Sequence, residues 1–213
     1  MKKYGILHKP DLAQKAHDGE KTVTRRLMKP QPFCPGATIE KHKDGWRVVP
    51  MYTNPHDDCD KIIKPRYQVG MVLAVRETHW RWGRHERNDK GSWRFVPQKF
   101  IEATDTVFLE PKSHLISTPK EKERLRYHKR PSIHMPFDLA RTYVEIVSAR
   151  PERLHDITVD EALAEGVQCT TDCSWCAREE FKKLWDSINA ARCPWSSNPW
   201  IWRYEYKRVD KPS

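Results

Sequence analysis

A chain of 213 residues, 32% of them charged and only 38% hydrophobic, suits one compact domain with large loops. A formal charge of +10 and a pI near 9.3 favour a polyanionic partner, most simply nucleic acid. The start, M-K-K-Y-G-I-L-H-K, has no apolar stretch behind it, and the longest apolar run, 71–75, is far too short for a bilayer. Secretion and membrane insertion are therefore not expected, and the expected compartment is the cytoplasm.

In chain order, K-Y-G-I-L-H reads as a first strand. Asp11 to His17 reads as a short helix with Leu12 and Ala16 on one face, closed by the turn Asp18-Gly19. D-G-E-K-T-V-T-R-R-L (18–27) then alternates as a strand does. Thr22, Thr24 and Arg26 share one face, and Val23, Arg25 and Leu27 take the other. Residues 28 to about 68 are rich in proline and turn formers, with a hairpin expected around W-R-V-V-P-M-Y (46–52). M-V-L-A-V-R-E-T-H-W (71–80) is the most strand-like stretch.

A second irregular region is expected over 83–130, with short strands near Trp93–Val96 and Ile101–Thr104. Its last part, 112–130, holds seven Lys or Arg against two Glu. That is the composition of a solvated basic loop, or of an arm that tracks phosphates. R-T-Y-V-E-I-V-S-A-R (141–150) is a strand. Thr158 to Gly166 is a short helix with Thr158 as N-cap, Glu161 completing a capping box, and Gly166 ending it. Ala177 to Ile188 is a second helix presenting Phe181, Leu184, Trp185 and Ile188. The closing strand N-P-W-I-W-R-Y-E-Y-K-R-V puts Trp200, Trp202, Tyr204 and Tyr206 on one side. That stripe is expected in the core rather than as a stacking platform. Strands without βαβ alternation and a few short helices indicate an α+β, barrel-like fold.

No glycine-rich phosphate loop, H-E-x-x-H or G-x-S-x-G occurs. The ten histidines are scattered, and His79 and His134 read as structural residues. C-T-T-D-C-S-W-C places Cys169, Cys173 and Cys176 in one loop, with sixteen residues separating Cys176 from Cys193. Disulfides do not suit a reducing compartment. Four thiolates so grouped would hold a structural zinc ion in a closed tetrahedral site, the alternative being free buried thiols. Cys34 and Cys59 form a weaker extra pair, and no organic cofactor is implied.

Three stretches together carry a resemblance: D-G-E-K-T-V-T-R-R, V-G-M-V-L-A-V-R-E-T (69–78), and L-H-D-I-T-V-D-E-A-L-A-E-G-V (154–167) followed by the aromatic strand. The chain resembles an ASCH domain of the PUA-like superfamily, in its longer phage-associated form. The resemblance covers about half of the chain and departs from the family at Met71, where an Asp usually follows the glycine. It implies a single PUA-like mixed β-barrel domain over 1–213, with insertions at about 28–68 and 83–130 and a Cys-rich loop at 168–195.

The family includes RNA-binding proteins, a ribonuclease activity, and an amidohydrolase that deacetylates N4-acetylcytidine through a Lys, a Thr and a Glu. By motif these match Lys21, Thr24 and Glu165. A threonine hydroxyl needs a base to become a nucleophile, and a lysine serves if burial or like charges lower its pKa. Glu165, in the last turn of its helix, would pass a proton to the leaving amine. Arg25 and Arg26 supply positive field, Arg26 sharing Thr24's face. Arg76, Glu77 and Trp80, at the end of the middle strand, complete the substrate-binding set.

The plain alternative is a β-favouring threonine face among solvent-facing charges. The expected partner is a nucleoside or single-stranded nucleic acid, and the leading activity is hydrolysis of an acylated base. The alternatives are a ribonuclease and a non-catalytic module binding RNA or modified DNA. A nucleoside-sized substrate needs little of the +10 charge, which counts against the small-hydrolase reading.

Overall fold

The computed structural model describes residues 4–32, 36–50, 61–97, 106–108, 126–168 and 176–212. Its elements run β1 (Tyr4–Leu7), α1 (Pro10–Asp18), β2 (Val23–Leu27), β3 (Thr38–His42), β4 (Gly45–Val49) and β5 (Ile62–Ile63). There follow β6 (Val72–Arg76), β7 (His79–Arg87), β8 (Trp93–Pro97), β9 (Thr106–Val107) and β10 (Arg126–Arg130). The chain ends with β11 (Tyr143–Arg153), α2 (Val159–Ala164), α3 (Cys176–Asn189) and β12 (Trp200–Val209). Strands in several sheets with few helices make an α+β fold. Among the described residues no strand order closes on itself, and no helix is long and apolar enough to cross a membrane.

The chain divides into two compact units. One comprises residues 1–14 and 73–143, the other 15–72 and 144–213, so the divisions fall inside α1, β6 and β11. In the first unit β1 runs parallel to β6, and β7 is paired by β10, β8 and β9. In the second, β12 lies between β11 and β2, while β3, β4 and β5 form a separate three-stranded sheet.

Several sequence expectations need correction. Residues 71–80 are two strands rather than one, because Glu77 is buried and held by Arg141, which interrupts the ladder between β6 and β7. The hairpin expected around 46–52 reverses earlier, at Lys43-Asp44. Gly45 permits this with φ +149, and a Cβ there would meet the Ile63 carbonyl at 2.7 Å. The region 83–130 contains regular sheet, since β7 extends to Arg87 and pairs with β8 and with β10. The partners of β10 on β7 lie 43 to 51 residues away, a pairing that local patterning does not reveal. Ile188 leaves the buried face of its helix and is 51% exposed. The strand expected at 101–104 and the residues Cys34 and Cys59 lie outside the described residues.

The core of the second unit gathers Leu154, Ile157, Ala162, Ala177, Phe181, Trp185 and Ile201 from β12, the two helices and the turns around them. Ala177, Phe181 and Trp185 recur at four-residue spacing on α3 and form its buried face. Trp185 uses its indole N–H on the Cys193 carbonyl at 2.9 Å, so the ring is buried without an orphaned donor.

Candidate active site

All of the catalytic candidates belong to the second unit. Gly19, at φ +84, ends α1, and the Lys15 carbonyl accepts the amides of both Glu20 and Lys21. This tight turn leaves Lys21 just ahead of β2 with its side chain directed inward, only 1% exposed. On α2, Thr158 caps the N-terminus and Glu161 returns the bond, the capping box read from the sequence. Glu165 is the C-cap, and Gly166 follows at φ +87.

The end of so short a helix exposes carbonyls without helical partners. Here the Thr22 amide takes the carbonyl of Ala164 at 3.0 Å. The ammonium of Lys21 takes that of Glu165 at 2.7 Å, and Lys15 takes that of Gly166 at 2.6 Å. Two lysines thus sit at the negative end of the helix.

Lys21 Nζ also donates to Glu165 Oε2 at 2.6 Å and to the Val23 carbonyl at 2.7 Å. Its three N–H bonds are all engaged, as an ammonium requires. Burial nevertheless holds its pKa below the usual lysine value. Glu165 opposes that shift, while Arg26 and Arg25 add to it.

Arg25 on β2 carries a second charged cluster to the same carboxylate. Arg25, with its side chain fully buried, meets Glu152 at 2.7 Å, Glu161 at 2.6 Å and Glu165 Oε1 at 3.5 Å. Its guanidinium stands 5.8 Å from the centre of the Phe181 ring. Arg150 and Arg203 reach Glu161 at 2.9 Å each. Burial raises the Glu152 carboxyl; Arg25 opposes this and neighbouring Glu161 adds to it. Burial also acts to raise Glu161, but Arg25, the Thr158 amide and the other arginines outweigh it and hold its carboxyl low. Glu165 therefore has one oxygen on Lys21 and the other towards Arg25, fixed between two cations.

Thr24 is 3% exposed and lies opposite Tyr204 in the β2–β12 ladder, with Arg26 opposite Trp202. The Tyr206 amide bonds the Thr22 carbonyl. Directly paired residues share a face, so Thr22, Thr24 and Arg26 share theirs with Trp202, Tyr204 and Tyr206. The two tyrosines and Trp202 are buried as expected from the sequence, while Trp200, the first of that stripe, is only half-buried. Burial pushes the Tyr204 phenol up to about 12 against backbone hydrogen bonds from Tyr67 and Arg66. Burial, with the charge of Glu165, also raises Tyr206, and Arg26 opposes it. Among the described residues no hydrogen bond joins the Thr24 hydroxyl to Lys21 or Glu165.

The structure thus brings together Lys21, Arg25 and Glu165, with Thr24 and Arg26 on the same strand. It adds Glu152, Glu161, Arg203 and Tyr206, which sequence reasoning did not assign to the site. Glu161 had a visible signal only as a capping residue, and Tyr206 only as core. Arg76, Glu77 and Trp80 belong to the other unit. There Glu77 is held by Arg141 through bonds of 2.8 and 3.0 Å, and Arg76 donates to the Ile133 carbonyl. Trp80 is buried, with Lys129 at 5.6 Å from its ring centre.

Of the expected zinc ligands, Cys169 and Cys173 lie outside the described residues, while Cys176 and Cys193 are free, partly exposed thiols. Among the described residues no group of three or more His, Cys, Asp or Glu is placed to hold a metal ion. Compared with protein-family models, with curated proteins and with solved structures, the chain matches none of them.

Proposed function

We propose that this chain is an ASCH protein of PUA-like build, and that Lys21, Thr24 and Glu165 remove an acyl group from an N4-acylated cytosine base. The observation that carries the reading is the buried Lys21–Glu165 contact at 2.6 Å. Burial lowers the Lys21 pKa, and the Glu165 carboxylate stands within hydrogen-bond reach to accept its proton.

With the proton on Glu165, the neutral Lys21 amine takes the hydroxyl proton of Thr24. The Thr24 oxygen bonds to the acyl carbon, the C–N bond breaks, and Glu165 protonates the departing amine. Water then attacks the ester, giving a proton to the Glu165 carboxylate, while Lys21 returns one to the Thr24 oxygen as the carboxylic acid leaves. Each turnover ends with the pair as it began.

Thr24→Ala is expected to reduce acetate release from N4-acetylcytidine to background, measured alongside circular dichroism to confirm folding. Undiminished turnover in that variant overturns the assignment.

One observation favours a second reading. Lys21 engages all three of its N–H donors, and two of its acceptors are backbone carbonyls. That arrangement serves equally to lock α2 against β2 in a module that binds a base without reacting. The same preparation, incubated with labelled single-stranded RNA, separates the readings. Mobility shift without acetate release or cleavage supports the binding module, and strand cleavage supports a ribonuclease.

A further inference from the structure

The first unit carries a charged face of its own. Along β7, residues 79, 81, 83, 85 and 87 share one side of the strand. Their ladder partners place His128 and Arg130 of β10 and Phe95 of β8 on that same side. Ring contacts agree with this placement. His85 lies 4.7 Å from His128 and 5.4 Å from Phe95, and the Arg130 guanidinium stands 4.7 Å from the centre of the Phe95 ring. Gly83 makes the arrangement possible, because a Cβ there would meet the Phe95 ring at 2.7 Å and also strike the Val96 carbonyl.

Among the described residues this face has no acid to balance it. Arg84 pairs with Glu86 on the other side of β7, and Arg141 pairs with Glu77. Among the described residues no carboxylate pairs with Arg76, Arg81 or Arg130. The Nε groups of Arg76 and Arg81 lack a hydrogen-bond partner, and so does Nε2 of His79, whose side chain is fully buried. Arg130 lies directly opposite His79 in the ladder, and Arg81 follows two residues along on the same side of β7. Arg81 and Arg130 are half-buried.

Two permanent cations held together without a counter-ion destabilise a fold, and an orphaned buried ring nitrogen adds to the cost. Both are relieved when an anion with several acceptor oxygens binds, and guanidinium groups match phosphate. We propose that the face formed by Arg81 and Arg130, over the buried His79, binds the phosphates of a single-stranded nucleic acid. His85 and Phe95, half-buried beside the cations, offer ring surface to an unstacked base, with His128 packed beneath them. The formal charge of +10 favours a strand over a small anion.

The inference rests on the nucleic-acid reading above but not on hydrolysis, so it is tested with unmodified oligonucleotide. Fluorescence anisotropy of a labelled single-stranded RNA compares the wild type with Arg81→Gln/Arg130→Gln and with Arg84→Gln. Two lost phosphate contacts lower the slope of log K on log salt by roughly 1.4, or roughly 25-fold in affinity at about 0.1 M salt. Arg84→Gln, an equal charge change per residue on the opposite face, stays within about twofold. The double variant, relieved of like charges, keeps at least the wild-type melting temperature without ligand.

Equal loss per charge on both faces, or no loss at all, overturns the proposal. So does a lowered melting temperature of the free double variant, which would mark these arginines as structural. Competition arms with inorganic phosphate and a mononucleotide distinguish the source of the phosphate. Binding of either as tight as that of the strand also overturns it.

Discussion

Tyr204 and Tyr206 occupy successive positions on one buried face of β12 and differ in what surrounds their hydroxyls. The raised phenol values of both mean that the folded protein holds their protons more tightly than the unfolded chain. Their contribution is fully present below the ordinary tyrosine value of 10.0 and is lost as pH rises towards the folded value, about 12 for Tyr204. That shift of two units amounts to roughly 2–3 kcal/mol for Tyr204. Lys21 has the opposite sign: its lowered value makes stability rise with pH up to its ordinary value of 10.5. A stability maximum is therefore expected near pH 10, followed by cooperative unfolding above it. Phenolate absorbance should develop together with the loss of circular dichroism. Early, non-cooperative ionisation of all the tyrosines would contradict the burial of these two.

At the scale of elements, α2 has only six residues and cannot persist on its own propensity. Its two ends are held differently. Thr158 and Glu161 exchange bonds of 3.3 Å at the start, while Thr22, Lys21 and Lys15 secure the carbonyls at the finish. Removing the cap with Thr158→Ala is expected to cost about 1 kcal/mol in urea denaturation at unchanged m-value. Glu161→Ala also strips buried Arg25 of one of its partners, so its cost is expected to approach about 3 kcal/mol. Equal costs for the two variants would show that the Arg25 network adds nothing beyond the cap. Both ends of α2 were legible in the sequence because caps are local: Thr158, Glu161 and Gly166 lie within nine positions. The lysines at its C-terminus were not, being 144 and 151 residues away.

At the scale of the whole molecule, each unit is assembled from two distant segments of chain. β12 contributes Ile201, Trp202 and Tyr204 to its core, yet one of its ladders is formed with β2 from the other end of the sequence. A fragment comprising 144–213 would leave that edge open. It would also leave Glu152, Glu161 and Glu165 without the Arg25 and Lys21 cations that hold them. It is expected to be unfolded by circular dichroism and to gain structure only when residues 15–72 are supplied. A cooperative thermal transition of the fragment alone would refute this.

The sequence by itself determined the features that depend on near neighbours: the α+β character, the capping box, the buried stripe of β12 and the two-sided alternation of β2. Hydrophobic period and cap chemistry act within one or two turns, and so can be read along the chain. Only the tertiary structure decided that Lys21 reaches Glu165, that Arg25 gathers three glutamates, and that β7 and β10 assemble a cationic face inside a stretch that reads as irregular. Those outcomes depend on strand pairing across long separations. There the register, rather than local preference, decides which charges meet.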